Sequence, residues 1–202
     1  MSRSGRGLLT GRRLQNGRVN DGAVHRFMYS TPRLLVEPWH EAAERLGLNL
    51  ADEVARLLTA RTTAALPENW RGDFSAERAR AWITERDGES PTLLATEFES
   101  AATAGLVILG EVPLAPSTDN TTGIDLRIGY VIAESMWGRG LATELLAGLV
   151  AWARTQPSIQ TITGGVESGN RASIRVLDKV GFRHLDTNDD DMLTFQIDLG
   201  RQ

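Results

Sequence analysis

Residues 126–143 read Leu-Arg-Ile-Gly-Tyr-Val-Ile-Ala-Glu-Ser-Met-Trp-Gly-Arg-Gly-Leu-Ala-Thr, an apolar strand, a glycine-bearing turn and a helix start. No other segment constrains the fold as tightly. The order gathers the backbone N–H groups of Arg139, Gly140, Leu141 and Ala142 at one helix N-terminus. Amides there lack intrahelical acceptors and carry about half a positive charge, so they bind phosphate without a basic side chain. Gly138 and Gly140 permit a tight turn and close approach of a ligand. The helix that follows is long enough to serve as a crossover, and crossovers join parallel strands.

The rest of the sequence narrows the class by exclusion. A chain of 202 residues, 41% hydrophobic, supports one core and a single domain. A formal charge of −4 argues against general nucleic-acid binding. Cysteine is absent, which removes disulfides, thiolate metal sites and thiol nucleophiles. His25, His40 and His184 show no metal-ligand spacing, so no metal is expected. No apolar run reaches membrane-spanning length. The expectation is a cytoplasmic protein, monomer or homodimer, with neither nucleic-acid nor membrane partners. Residues 1–27 hold six arginines against one acid, Asp21, and leave −9 for the remainder. Glycine and asparagine interrupt any helix there, and the apolar stretch of a secretory signal is missing. A disordered basic tail is expected over 1–27, with Met28 as an alternative start, and one domain over 28–202.

Periodicity and breakers divide that domain. Strands are predicted at 33–39, about 92–98, 103–112, 124–133, 159–166, 182–185 and 192–199. Helices are predicted at 40–46, 50–60, 76–86 with Ser75 as N-cap, 140–154, and 172–180 closed by Gly181. Loops fill 61–74 and 113–122. This is α+β, or mixed α/β: a central mixed sheet, mostly antiparallel with one parallel pair, flanked by helices. On the crossover helix Leu145, Leu149 and Trp152 fit core spacing. Trp39, Trp70 and Trp82 suit either an acceptor groove with the 61–74 loop or the core.

Three ligands compete for the turn at 138–143. A dinucleotide fold needs G-x-G-x-x-G/A, whereas the third position here is Thr143 and no acid lies near 160. A P-loop needs Lys-Ser/Thr after its second glycine, which is missing. The pyrophosphate of an acyl-CoA needs only converging amides at a helix start. Asn170-Arg-Ala-Ser-Ile-Arg-Val-Leu-Asp-Lys-Val-Gly-Phe182 follows the next strand at the distance a crossover requires.

Together with Trp-Gly-Arg-Gly-Leu-Ala-Thr, that segment resembles the GNAT superfamily of acyl-CoA-dependent N-acetyltransferases over about 28–199. The likeness is strongest to the ribosomal-protein-alanine acetyltransferase branch, whose opening strand Thr31-Pro-Arg-Leu-Leu-Val-Glu-Pro-Trp39 resembles. The resemblance implies acetyl-CoA as co-substrate and an amine acceptor, a protein N-terminus or a small molecule. It implies that backbone groups of Val131, Ile132 and Ala133 meet the pantetheine arm. Arg139, Gly140, Leu141, Ala142 and Thr143 would cradle the pyrophosphate, with Gly138 and Trp137, a packing or gating aromatic, as further cofactor-binding positions and Asn170 and Ser173 near the thioester or pantetheine. Arg139 and Arg175 are candidate phosphate contacts through their side chains.

Without a cysteine, direct transfer in a ternary complex is expected, with proximity supplying much of the rate. A backbone N–H near Ile132 or Ala133 would polarise the thioester carbonyl. Two positions depart from the family pattern: Arg127 replaces a common glutamate before Gly-Tyr, and Leu177 replaces a common tyrosine acid. The branch resemblance implies that Ser173 supports the thiolate instead; Asp125, Glu134 and Glu167 are candidate bases, with ordered water as the other carrier of the amine proton. Arg127 suggests either a carboxylate-bearing acceptor or a pair with Asp125. A non-catalytic acyl-CoA-binding module is the alternative function.

Overall fold

The structure is a computed structural model and describes residues 27–66, 68–115, 123–188 and 191–200. In chain order its strands and helices are β1 (Tyr29–Ser30), β2 (Leu34–Pro38), α1 (Trp39–Leu46), α2 (Leu50–Leu57), α3 (Ala76–Glu89), β3 (Thr92–Glu97), β4 (Thr103–Pro113), β5 (Ile124–Ile132), α4 (Leu141–Arg154), β6 (Ile159–Glu167), α5 (Arg171–Val180), β7 (Arg183–Thr187) and β8 (Met192–Asp198). The strands form one sheet in the order β1-β2-β3-β4-β5-β6-β8-β7. Every neighbouring pair is antiparallel except β5–β6, which α4 joins as a crossover. The expected fold class is the observed one.

Local signals place the helix ends. The Ser75 hydroxyl accepts from the Arg78 N–H (3.2 Å) and starts α3. The Asn170 side-chain carbonyl accepts from the Ser173 N–H (3.1 Å) and starts α5, which Gly181 ends in the left-handed region at φ 98°.

Side-chain alternation builds two cores, one on each face of the sheet. Leu93, Val107, Leu126 and Ile132 pack under α4, whose Leu145, Leu146 and Leu149 are fully buried, and under Leu177 of α5. Leu94, Leu106 and Val131, each a neighbour along the strand, point to the opposite face and pack against α1, α2 and α3. Trp152 is only partly buried and lies against Phe27 (5.3 Å between centroids).

Three expectations change. Phe27, assigned to the tail, is 2% exposed and belongs to the core, and Tyr29–Ser30 adds a short edge strand beside β2. The rest of the expected tail, residues 1–26, lies outside the described residues, as does most of the 113–122 loop. Trp39, Trp70 and Trp82 are core, not groove. Trp82 meets Trp39 and Trp70 edge-on (5.9 and 5.6 Å), and the buried Arg86 guanidinium lies 4.5 Å over Trp70.

Candidate active site

The parallel ladder between β5 and β6 runs from Ile124↔Ile159 to Ile128↔Gly164 and stops. Both strands continue, β5 beside β4 as far as Ile132 and β6 beside β8 as far as Glu167. Each follows its own antiparallel partner, so the two separate and open a cleft of about 890 Å³. It passes between the sheet halves, from the turn at 137–143 and α5 on one side to the 61–66 loop on the other.

Strand alternation decides which backbone groups face this opening. The Ala133 N–H donates to the Ala104 oxygen (2.9 Å), so Ala133, and Val131 two residues before it, turn toward β4. Of the three positions expected to meet a pantetheine arm, Ile132 alone presents its backbone to the cleft. Tyr130, two residues earlier on the same edge, presents its own. The Ile132 oxygen already accepts from the Trp137 indole N–H (2.8 Å), which fixes Trp137 at the lip, 43% exposed.

The turn is built as its glycines suggested. Gly138 and Gly140 take φ of 75° and 77°, the left-handed region that favours glycine. Gly140 is the N-cap of α4, and no side chain caps that end. Gly140, Leu141, Ala142 and Thr143 therefore line the cleft beside a helix end whose amides have no side-chain acceptor. Across from them stand Asn170, Ser173, Arg175 and Lys179 of the α5 segment.

Arg139 departs from expectation. Its guanidinium turns out of the cleft, donating to Glu97 at the end of β3 and to the Met136 sulfur (2.7 Å). Its own carbonyl accepts from Arg33 (3.0 Å), and Arg33 also binds Glu144 in the first turn of α4 (Nε–Oε2 2.7 Å). These contacts pin the cradle from outside. The Ser100 hydroxyl, with Arg139 and Arg33, holds the Glu97 carboxyl below its ordinary range against the opposing effect of desolvation. Burial pushes Glu144 up, but the Thr31 hydroxyl and the amide and guanidinium of Arg33 outweigh it, and its pKa is lowered.

The candidate bases fare differently. Asp125 is 1% exposed, its Oδ1 accepts from Thr161 (2.6 Å) and Thr163 (2.7 Å), and it is not part of the cleft wall. Both hydroxyls bond one oxygen, and the carboxylate lies buried beside a cation, away from the cleft where an acceptor would stand. The cation is Arg127, whose Nε lies 2.5 Å from Asp125 Oδ2, although neither atom is well aimed at the other. Of the two readings of Arg127, the structure contains the pair with Asp125. Glu134 is held by Thr59 and Arg61, and Glu167 by Arg71, each at one lip of the split. Both arginines come from the 58–74 segment, which thus bridges the two lips, and Arg61 also lies 5.0 Å over Trp137. Leu177 is 3% exposed and packs in the core.

Three features escaped the sequence reading. Tyr130 lines the cleft with its phenol oxygen buried, and burial raises its pKa while the adjacent Ser173 hydroxyl opposes the rise. Gly129 and Gly165 are exposed on the opposite face at the split, and a Cβ on Gly129 would meet nothing within 4 Å. Ala64, Ala65 and Leu66 roof that floor. The Gly-Tyr and Gly-Gly pairs were visible signals, since glycine inside a strand marks close backbone approach.

A split parallel pair whose opening leads straight to an uncapped, glycine-led helix N-terminus has room for an extended ligand and a helix end suited to its phosphates. The sequence profile of the acetyltransferase (GNAT) domain matches residues 33–183, and the chain belongs to that acetyl-CoA-using family. Solved structures agree in fold. A GNAT-family acetyltransferase from Bacillus anthracis superposes at TM-score 0.66 with 15% identity, covering 86% of this chain and 99% of that one. A GCN5-related N-acetyltransferase from Brucella melitensis also gives 0.66 with 15% identity, covering 86% and 79%. Spermidine N-acetyltransferase from Vibrio cholerae, solved with CoA and spermine, gives 0.59 with 14% identity, covering 82% and 95%. In sequence, the chain is 30% identical over 80 residues to the uncharacterized protein YkkB of Bacillus subtilis, covering 39% of this chain and 45% of that one. Among the described residues no helix is long and apolar enough to cross a membrane.

Proposed function

We propose that the chain transfers the acetyl group of acetyl-CoA to the nitrogen of a primary amine, at a protein N-terminus or on a small molecule, by direct attack in a ternary complex. The divergence of β5 and β6 beyond Ile128 and Gly164, continuous with the amides at 140–143, is the observation that carries this reading. In it the diphosphate sits on the N-terminus of α4 and the pantetheine amides pair with the open edge of β5 at Tyr130 and Ile132. The Ile132 N–H polarises the thioester carbonyl, because the Ala133 N–H is spent on Ala104. Arg139 contributes its amide and not its side chain. The acceptor enters from the opposite face, over Gly129 and Gly165 and beneath the 61–66 loop.

The amine must lose a proton and the thiolate must be stabilised. Ser173 lines the cleft on α5 and is assigned to the thiolate. Glu167 lines the acceptor side, and Glu134 stands at the other lip, so one of these, or water held between them, takes the amine proton. A cytoplasmic setting, the ribosomal-protein-alanine branch and a monomeric or homodimeric state complete the reading. The buried Leu177, which offers no proton where many relatives carry tyrosine, is the observation that favours the second reading, an acyl-CoA-binding module without chemistry. Free-thiol release from acetyl-CoA with a panel of amines and N-terminal peptides separates the two. Turnover on any acceptor establishes the enzyme, while CoA binding with no turnover establishes the module.

A further inference from the structure

Tyr130 brings to the cleft wall a buried hydroxyl that this mechanism leaves unused. It sits on β5 two residues past the last parallel pair, where the strands part, and shares a sheet face with Ile128 and Ile132 under α4 and α5. Its phenol oxygen is buried and meets no protein group in good hydrogen-bonding geometry. The polar side chain that bears on it is Ser173, which is half-buried and lines the cleft. Tyr130 and Ser173 thus share one stretch of the cleft wall, and the phenol proton is uncommitted.

We infer that Tyr130 is a positioning residue for acetyl transfer: its O–H donates to Ser173 Oγ, which turns the serine proton toward the thioester sulfur. This rests on the acetyltransferase reading above. A serine hydroxyl rotates freely and has one proton to donate. With Oγ accepting from the phenol, the serine's own O–H is left to turn to the sulfur of a CoA laid along β5. Hydrogen bonds in such a chain polarise one another, and a low-dielectric site strengthens them. Burial suits the part, because a phenol whose pKa is raised stays protonated and remains a donor. The balance is simple. The amine nitrogen bonds to the carbonyl carbon, the carbon–sulfur bond breaks, and its electron pair stays on sulfur. Hydrogen bonds from Ser173, backed by Tyr130, hold the thiolate. The proton released from nitrogen goes to the base and then solvent, and CoA is protonated from solvent on leaving. Tyr130 thus occupies by another route the role that Leu177 leaves empty.

Tyr130→Phe keeps the ring and removes the donor. Losing a hydrogen bond to a developing charge lowers kcat about ten- to hundredfold, with the KM for acetyl-CoA and the melting temperature nearly unchanged. Ser173→Ala gives a similar loss, and Tyr130→Phe/Ser173→Ala is no worse than the worse single variant. With acetyl-seleno-CoA, whose leaving group is a more stable anion, the Tyr130→Phe loss shrinks, which a packing defect would not produce. Wild-type kcat in Tyr130→Phe, additive single losses, or an equal loss with the selenium donor overturns the role of Tyr130 while leaving the enzyme reading intact. A wild-type protein that binds CoA by calorimetry and acetylates no amine overturns both.

Discussion

Arg139 Nη2 donates to Glu97 Oε1, tying the turn between the cradle glycines to the end of β3. The residue that by sequence alone pointed at CoA phosphates instead fastens the loop carrying the amides. Shape therefore separates from charge at this site. Arg139→Gln is expected to lower the melting temperature by a few degrees and to weaken CoA severalfold, as a loosened cradle would. A loss of affinity as complete as that of a cradle-blocking variant, at unchanged stability, would return Arg139 to the phosphates.

Gly140→Asp supplies that reference. At φ 77° a side chain costs about 1 kcal/mol of strain, yet a Cβ there would approach Arg33 no closer than 3.8 Å. Space is thus available, and the damage comes from a carboxylate set against the diphosphate. Calorimetry should show CoA affinity reduced at least about a hundredfold, with Gly140→Ala losing far less. Equal losses in the two variants would mean that backbone conformation, not anion binding, is what the position supplies.

Acid should loosen the cradle before it unfolds the sheet. The pKa values of Glu97 and Glu144 are lowered in the folded protein, so folding favours their ionised forms. Their contribution is fully present above the unfolded carboxylate range near pH ~4.3 and is lost as pH falls through the lower folded values. Melting temperature plotted from pH 7 to 3 should therefore drop in the acid limb, and Glu144→Gln should be less stable at pH 7 with a shallower acid limb. An unchanged limb in that variant would assign the acid sensitivity elsewhere.

Much of this site was legible in the sequence. The turn at 138–143, the crossover helix with its one parallel pair, and the Ser75 and Gly181 caps follow from local rules, glycine at positive φ, period-3.6 apolar spacing and helix capping, that neighbours rarely override. What was not legible depends on which way a side chain or an amide turns. Ala133 and Ile132 differ by one residue, and only the pairing of Ala133 with Ala104 shows which N–H is free. Trp39, Trp70 and Trp82 lie far apart in sequence, and their packing around Arg86 is tertiary. Tyr130 was hidden because Ser173, which bears on its phenol, stands on another element.

The acceptor floor offers a test of direction. Gly129 is exposed at the split, on the face away from α4 and α5, and a Cβ there meets no atom within 4 Å. Gly129→Val fills that space without disturbing the cradle, and valine suits a strand. It should raise the acceptor KM at least about tenfold, equivalent to about 1.4 kcal/mol of acceptor binding, while CoA affinity stays within twofold (about 0.4 kcal/mol). Weakened CoA with an unchanged acceptor KM would place the acceptor on the other face.

Asp125→Asn tests what the structure took away from the sequence reading. The residue is 1% exposed, receives Thr161 and Thr163, and stands 2.5 Å from Arg127. Asparagine keeps the shape and one acceptor but leaves Arg127 without its counter-charge, so stability should fall by about 1–3 kcal/mol. Activity per folded molecule and the pH at which kcat/KM rises should stay as in the wild type. Glu167→Gln, at the cleft wall, is expected to show the reverse pattern, with stability nearly kept and the ascending limb of kcat/KM displaced or abolished. If it is Asp125→Asn that moves the limb, the buried carboxylate reaches the acceptor after all, through a rearrangement of β5 and β6 that frees it from both threonines.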